Sequence, residues 1–270
     1  MPRVIITLIA EVIIFLAHLF LVKEKRRFFI NIEKVYRLPK HSVFAKSFLR
    51  DHLRHQVYCQ LETVVGIYNP KRVKIEGQDL LDSVIGNAQS KQSGLIVAAA
   101  HLGSWEFVAK YVSIANGQKF NALAKPSKYD WVTRFLESMR QRMHTNVLWT
   151  GKPSLLKGMI KVLKGGEVLG FVMDQKPENR KGPVVEFLGQ PTAFVSGPAS
   201  IALKCGTAIV GIYCVRIESF RFQLIAEEIY RPADEKVELD ELTQMLASRL
   251  SYWIKLYPEQ WTWSYKRWRD

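Results

Sequence analysis

An apolar run, residues 95–100, passes directly into a turn and a helix start, and this junction limits the fold more than any other feature of the sequence. A short, continuous apolar run that follows Gly94 is typical of a buried strand. Gly103 and Ser104 then supply a turn and a helix N-cap. The sequence therefore predicts a strand, a tight turn and a helix in succession.

The same junction places a histidine at the carboxyl end of the predicted strand. Glu106 follows His101 by five residues, an offset that would separate two side chains by about 140° within one continuous helix. The pair can meet only if His101 precedes the helix. A carboxylate on one imidazole nitrogen leaves the other nitrogen free to take a proton from an alcohol. These residues predict a general base, although a lone histidine near a strand end is more often a structural residue.

The amino terminus carries an apolar stretch, residues 4–22, interrupted only by Thr7, Glu11 and His18. As a helix it would reach roughly 28 Å, just enough for a bilayer core. It lacks a small-residue cleavage site, which disfavours a removable signal peptide. Basic residues follow at once, and the positive-inside rule then predicts a cytoplasmic body. These are Lys23, Lys25, Arg26 and Arg27.

Glu11 complicates the prediction of a spanning helix, because a central carboxylate is costly in the bilayer. The three polar residues share one helix face, so the segment could instead lie against the protein or in the membrane interface. A spanning helix and an interfacial helix both predict membrane association. We therefore expect residues 1–27 to form a membrane-associated helix with a basic flank, and residues 28–270 to form the catalytic domain.

Charge and cysteine content narrow the class of partner. Lysine and arginine outnumber aspartate and glutamate by 39 to 25, which gives a net charge of +14. Such a field favours nucleic acid, an anionic membrane or phosphorylated substrates, and the apolar amino terminus favours the membrane over nucleic acid. The sequence has no HExxH, GxGxxG or Walker motif. Its three cysteines have neither zinc nor disulfide-framework spacing, which fits a reducing compartment.

Beyond residue 28 helical and strand patterns alternate, which predicts an α/β fold with a mixed, partly parallel central sheet flanked by helices. Ligands gather at the carboxyl ends of strands in such sheets, where His101, Lys125 and Asp174 fall. The predicted strands are residues 71–75, 95–100, 120–124, 147–149, 168–173, 208–215 and 220–225. The predicted helices are residues 44–65, a segment from about 79, and residues 104–115, 127–143, 196–205 and 239–253.

Several sequence boxes resemble, in order, those of the bacterial lipid A late acyltransferases (the lauroyl and myristoyl transferases). The H-x-x-x-x-E box of residues 101–106 resembles the catalytic box of this family and of the wider H-x4-D/E glycerolipid acyltransferases. The resemblance extends over most of the chain. Its boxes are residues 25–27 with 31–33, 94–106, 124–126, 156–170 with 174–175, 187–191, 197–199, 206–210 and 258–268.

The resemblance implies a direct acyl transfer without a covalent acyl-enzyme. His101 would act as the general base on the acceptor hydroxyl, and Glu106 would orient and polarise it. Lys125, in a segment similar to the family's Y-R-P element, would bind phosphate or stabilise the oxyanion. The competing interpretation of Lys125 is a solvated side chain.

Four further residues are expected to bind substrate. Asp174 and Gln175, similar to the family's D-Q element, would hold the acceptor sugar or the loop around it; the competing interpretation is a strand-terminal turn. Arg180 is expected in an anion-binding loop, and Arg216 at the end of a strand that reaches the site.

The implied activity is a membrane-bound O-acyltransferase. It would move a fatty acyl chain from acyl carrier protein or a coenzyme A thioester to a hydroxyl of a lipid A precursor or a related anionic glycolipid. We expect it at the bacterial inner membrane with the catalytic domain on the cytoplasmic side, with no metal, cofactor or nucleic acid. The alternatives are a lysophospholipid or other glycolipid acceptor, or a non-catalytic basic lipid-binding protein.

Overall fold

The computed structural model describes residues 3–40, 42–88, 94–117, 119–151, 153–177, 182–232 and 237–268. Three helices open the chain: α1 (Arg3–Phe20), α2 (Val22–Tyr36) and α3 (Val43–Tyr68). α1 and α2 meet at a bend of 81°, and both pack against α3. The amino-terminal quarter of the protein is therefore largely helical.

Strands and helices alternate over the rest of the chain, as the sequence pattern predicts. The strands are β1 (Lys74–Glu76), β2 (Leu95–Ala99), β3 (Phe120–Ala124), β4 (Thr145–Trp149), β5 (Val168–Val172), β6 (Val184–Phe187), β7 (Gln190–Ala193), β8 (Ala208–Glu218) and β9 (Arg221–Tyr230). The helices are α4 (Gln78–Ala88), α5 (Trp105–Asn116), α6 (Asp130–Gln141), α7 (Leu155–Lys164), α8 (Gly197–Cys205) and α9 (Leu239–Leu256).

Within the described residues, seven strands form the main sheet in the order β1-β9-β8-β2-β5-β3-β4. β8 and β9 pair antiparallel, whereas the other neighbours run parallel. β2 lies at the centre, in register with β5 so that Ala99 is opposite Val172. Every residue of β2 is buried, as expected for a parallel strand covered on both faces. The predicted fold class is confirmed.

The two faces of the sheet bury two separate apolar cores, because alternate residues of a strand point to opposite faces. Ile96 and Ala98 of β2 belong to the core that also contains Leu246 of α9 and the carboxyl-terminal tryptophans. Leu95 and Val97 belong to the core on the other face, with α4 and α5. The continuous apolar pattern of β2 thus reflects burial on both sides.

The structure corrects the predicted elements at several points. The strand predicted at residues 71–75 is present but begins later, at Lys74–Glu76, because Pro70–Arg72 forms a 3-10 turn. The hairpin β6–β7 was not predicted. Its turn uses Leu188 and Gly189 with φ of 54° and 76°, the left-handed geometry of a tight hairpin turn. A leucine in that geometry gives no turn signal in the sequence.

One face of the amino-terminal helix α1 packs against the rest of the protein. Ile6 and Ala10 are buried. Glu11 accepts hydrogen bonds from Arg54 at 2.7 Å and from the Tyr58 hydroxyl at 2.8 Å, both on α3. The carboxylate that complicated a spanning helix is therefore used in packing against α3.

The structure does not confirm the predicted single membrane-spanning helix. Among the described helices, none is by itself both long and apolar enough; α1 and α2 meet the length and hydropathy criteria only as a bent pair.

Candidate active site

His101 lies two residues beyond β2, at the carboxyl edge of the sheet. Its imidazole lines an open cleft of about 530 Å³ and contacts the Trp105 ring edge-on, with 5.1 Å between centroids. The sequence prediction for the position of His101 is thus met. The cleft is lined by Glu24, Arg27, His101, Asp174, Gln175, Lys176, Thr262, Ser264, Tyr265 and Lys266.

The turn after His101 depends on a glycine. Gly103 has φ of +58°, and a Cβ there would lie 2.2 Å from the carbonyl oxygen of Cys214 on β8. This close approach lets the Ser104 N–H donate to that oxygen at 2.7 Å. Ser104 is at the predicted N-cap position, but its hydroxyl contacts the Thr63 hydroxyl at 2.7 Å instead of capping α5.

The carboxylate that contacts the His101 ring is Asp174, just beyond β5. Its Oδ1 lies 2.9 Å from His101 Nδ1 and accepts the backbone N–H of the same histidine at 3.2 Å. β2 and β5 are adjacent and in register, and the Met173 N–H donates to the Ala99 carbonyl at 3.0 Å. The pairing of the two strands therefore aligns the two side chains at the same edge of the sheet.

A carboxyl-terminal segment fixes the other side of this pair. The indole N–H of Trp261 donates to Asp174 Oδ2 at 2.7 Å, and both residues are buried. The Thr262 N–H and hydroxyl both donate to the His101 carbonyl, at 3.1 and 3.2 Å. The carboxyl-terminal segment thus holds one carboxylate oxygen of Asp174, 87 residues earlier in the chain, and the backbone carbonyl of His101, 161 residues earlier.

Burial and charge act against each other on this pair. Burial alone lowers the pKa of His101, but the Asp174 charge, its hydrogen bond and the Glu106 charge outweigh it, and the net pKa is raised above 6.5. Burial alone raises the pKa of Asp174, but His101 and the Trp261 donor outweigh it, and the net pKa is lowered. Asp174 is therefore a carboxylate near neutral pH.

This arrangement sets the tautomer of the neutral ring. A neutral imidazole carries one N–H, and Asp174 accepts it from Nδ1. The lone pair is then on Nε2, toward the cleft. The Gln175 amide nitrogen lies 3.5 Å from His101 Nε2, so Gln175 borders the reactive nitrogen. An imidazole in this state can take a proton from a hydroxyl placed at Nε2.

The expected pairing of His101 with Glu106 is replaced by a different one. Glu106 accepts hydrogen bonds from Arg140 of α6 at 2.9 and 3.4 Å. Glu106 is in the first turn of α5, and the Nδ1 position of His101 is occupied by Asp174. The contribution of Glu106 to His101 is the electrostatic one already described.

The other predicted substrate-binding residues are dispersed. Lys125 is exposed at the end of β3 and is not among the described residues that line the cleft. Arg216 forms a bidentate ion pair with the fully buried Glu62, both contacts at 2.8 Å, which places it on the α3 side of the catalytic box. Arg180 lies outside the described residues.

Sequence reasoning did not connect several residues with His101. These are Trp261, Thr262 and the cations Arg27, Lys176 and Lys266. The amide of Asn31 brings two of these segments together, donating to the Trp263 and Tyr265 carbonyls at 2.7 and 2.8 Å. The order of the resembling boxes along the chain was the one available signal.

Within the described part of the chain, no group of three or more His, Cys, Asp or Glu side chains could hold a metal ion. The three cysteines are free thiols, with Cys59 and Cys214 buried and Cys205 partly buried.

Fold and site together define an α/β protein with a histidine, hydrogen-bonded to a buried carboxylate, at the carboxyl edge of a mostly parallel sheet. Comparison with known families agrees with this class. Residues 55–270, well over half of the chain, match the family of bacterial lipid A biosynthesis acyltransferases. The chain belongs to that family.

Its curated relatives include the phosphatidylinositol mannoside acyltransferases of mycobacteria. Those from two strains of Mycobacterium tuberculosis are 25% identical over 190 residues, covering 67% of this chain and 58% of the relative. That of Mycolicibacterium smegmatis is 24% identical over 171 residues, covering 62% of this chain and 54% of the relative. The chain thus spans a little over half the length of the curated relatives it matches.

Proposed function

We propose that this protein transfers a fatty acyl group from a thioester to a hydroxyl of an anionic glycolipid at a membrane surface. The observation that carries the proposal is the hydrogen-bonded set of His101, Asp174 and Trp261 at the edge of an open cleft. Acyl transfer to an alcohol needs a base at the attacking oxygen, and this set supplies one.

The chemical step follows from the tautomer. The acceptor hydroxyl attacks the thioester carbonyl carbon while His101 Nε2 takes the hydroxyl proton, and the resulting imidazolium is stabilised by Asp174. When the tetrahedral intermediate collapses, the C–S bond breaks and the thiol leaves with the proton from Nε2. The products are the new ester and the free thiol carrier. The thioester carrier is acyl carrier protein or coenzyme A.

The acceptor class rests on the relatives. The family is named for lipid A biosynthesis, and the mycobacterial relatives are named for phosphatidylinositol mannosides. Both names denote lipids that carry sugar. A lipid A precursor or a related anionic glycolipid therefore remains the proposed acceptor, and a lysophospholipid is the alternative.

Attachment to a membrane is supported by α1 and the residues after it. The outward face of α1 exposes large apolar side chains: Val4, Leu8, Val12, Phe15, Leu19 and Phe20. The basic residues at the start of α2 follow this face directly, and Arg27 of α2 lines the catalytic cleft. An apolar helix face beside basic residues suits the interface of an anionic bilayer. We propose that α1 lies along the cytoplasmic surface of the bacterial inner membrane, with the cleft opening beside it.

The test uses purified full-length chain, acyl-carrier-protein and coenzyme A thioesters, and a panel of acceptors: a lipid A precursor, a phosphatidylinositol mannoside, a lysophospholipid and a neutral glycolipid. Products are identified by mass spectrometry. His101→Ala is the inactive variant. His144→Asn is the matched control, because His144 is exposed at the opposite edge of the sheet and has a left-handed φ that asparagine tolerates.

We expect a mass gain of one acyl chain on an anionic glycolipid with wild-type protein and with His144→Asn, and none with His101→Ala. A folded wild-type protein that acylates no acceptor from either donor would instead support the non-catalytic lipid-binding alternative. Acylation of the lysophospholipid alone would assign a different acceptor class and would still support His101 as the base.

A further inference from the structure

The cleft beside His101 carries a cluster of cations from three distant parts of the chain. Arg27 comes from α2, Lys176 follows β5, and Lys266 belongs to the carboxyl-terminal segment. We propose that these three residues form a subsite for a phosphate group of a substrate. This inference rests on the proposed acyl transfer and names one chemical feature that the substrate must carry.

The charges at the cleft favour an anion. The acidic side chains that line it are Glu24 and Asp174. Asp174 is buried, and both of its oxygens are occupied by His101 and Trp261. Glu24 contacts Arg27 at 3.9 Å, near the limit of an ion pair, and both side chains are partly exposed. Such a contact contributes little, so most of the Arg27 guanidinium donors remain available to a stronger acceptor.

The fold holds these cations together. Asn31, one helical turn beyond Arg27, is buried and donates to the carbonyls of Trp263 and Tyr265. Lys266 follows directly, so α2 and the carboxyl-terminal segment approach the cleft as one fixed unit. Lys176 is two residues beyond Asp174, which is itself fixed by Trp261. The three cations thus follow or precede hydrogen-bonded residues of the site and line the same cleft as His101.

A phosphate group fits this cluster better than a neutral ligand does. A phosphoryl group offers at least two acceptor oxygens and one negative charge as a diester or up to two as a monoester, and arginine can bind two oxygens at once. The phosphate could come from the acyl donor, whose pantetheine arm is attached through a phosphodiester, or from the acceptor lipid. The shared chemistry is the phosphoryl group placed next to the thioester and the hydroxyl.

Direct binding tests the subsite without relying on turnover. The His101 ring resonances are followed by NMR during titration with inorganic pyrophosphate at constant ionic strength. The variant is the triple substitution Arg27→Gln, Lys176→Gln and Lys266→Gln. Lys161→Gln is the matched control, because Lys161 is exposed on α7 outside the cleft.

We expect the wild type and the Lys161→Gln variant to bind with the same affinity. Each of the three cations should contribute about fivefold, so that the triple variant binds about a hundredfold more weakly. Equal affinity of the triple variant and the wild type would overturn the subsite. Because this measurement needs no acyl transfer, its result stands even if the proposed function fails.

Kinetics then identify the source of the phosphate. Short-chain, water-soluble substrates are used so that attraction of the cations to a membrane does not contribute. The donor pair is acyl-coenzyme A and acyl-pantetheine, and the acceptor pair is one glycolipid with and without its phosphate. If the donor supplies the phosphate, the triple variant should lose kcat/KM with acyl-coenzyme A and show no loss with acyl-pantetheine. If the acceptor supplies it, the loss should disappear with the dephosphorylated acceptor.

A loss of the same size with all four substrates would contradict the inference, since the cations would then act without any phosphate. A loss only in vesicle binding, with unchanged kinetics on soluble substrates, would assign the cluster to the membrane surface and would also contradict it.

Discussion

Two carboxylates lie close to His101, and the structure uses them differently. Glu106 belongs to the same sequence box, five residues later, but binds Arg140 of α6. Asp174 is 73 residues away in the chain and contacts the imidazole at 2.9 Å. Glu106 lies on α5 because it follows His101 closely in sequence. Asp174 reaches the His101 imidazole because β5 pairs with β2. The local motif thus identifies the histidine, and the neighbouring strand supplies the carboxylate that contacts it.

The largest expected effect is that of Asp174→Asn. Asparagine can still accept from Trp261, so the fold should be retained, but it no longer stabilises the imidazolium. We expect kcat to fall by about 10²–10⁴-fold, measured with a saturating donor. Asp174→Asn protein that is folded by circular dichroism and has nearly wild-type kcat would show that Asp174 has only a structural role.

A third carboxylate, Glu62, forms a buried ion pair with Arg216. It is fully buried and accepts three hydrogen bonds: from Arg216 twice at 2.8 Å, and from the Phe220 N–H at 3.0 Å. Glu62→Gln leaves the guanidinium without its charge partner, and we expect a loss of about 3–5 kcal/mol in unfolding free energy. Denaturant unfolding measures this loss.

The same variant also tests the sequence expectation for Arg216. If Arg216 is only structural, kcat/KM of the folded fraction of Glu62→Gln should stay at the wild-type value. A raised KM for the anionic acceptor in the folded fraction would indicate that Arg216 contributes to acceptor binding.

Glu106→Gln should affect stability more than catalysis. The Glu106–Arg140 pair is mostly buried, with 11% and 16% of the two side chains exposed. We expect about 2 kcal/mol less stability, since the amide cannot pair with the arginine charge. The hydrogen bond between His101 and Asp174 stays, so kcat should fall by about tenfold or less. A larger loss of kcat than in Asp174→Asn would restore Glu106 as the orienting carboxylate.

Trp261→Phe should show whether the indole N–H positions Asp174. The substitution removes the 2.7 Å donor and preserves most of the ring. We expect about a tenfold lower kcat, equivalent to about 1.4 kcal/mol, with an unchanged KM.

The matched control is Trp268→Phe. Trp268 packs against Trp261 with 6.2 Å between the rings, and its buried indole nitrogen makes no hydrogen bond within the described structure. Equal effects of the two substitutions would assign Trp261 to packing alone.

The smallest expected effect is a shift of the pH profile. His101 must be neutral to act as a base, and Asp174 raises its pKa above 6.5. Activity should therefore fall as the pH drops through a value above 6.5. In Asp174→Asn burial is no longer opposed by that charge, so the acid limb of kcat/KM should move to lower pH. An acid limb that does not move would mean that another group controls it.

The stability contributed by the same histidine has the opposite pH dependence. Because its folded-state pKa is raised, the charged pair stabilises the fold fully below about 6.5, and this contribution is lost as the pH rises through the folded-state pKa. Activity therefore increases over the range in which the ion pair is lost.

Local patterns predicted much of the fold. β3 has the predicted bounds, and α8 ends as predicted at Gly206, which has φ of +59°. These elements are set by apolar periodicity and by a glycine in a left-handed turn, which are properties of neighbouring residues. The hairpin β6–β7 was missed because Leu188, not glycine or asparagine, takes the first left-handed position of its turn.

The sequence alone determined that the chain is an α/β protein and that His101 ends a buried strand beside a helix start, because both follow from local apolar patterns. It also carried the family resemblance that the comparison confirmed. Three contacts are visible only in the tertiary structure. Asp174 contacts His101, the Trp261 indole donates to Asp174, and Glu11 accepts a hydrogen bond from Arg54 of α3. These contacts join residues far apart in the chain, and strand order and helix packing, which no local pattern encodes, bring them together.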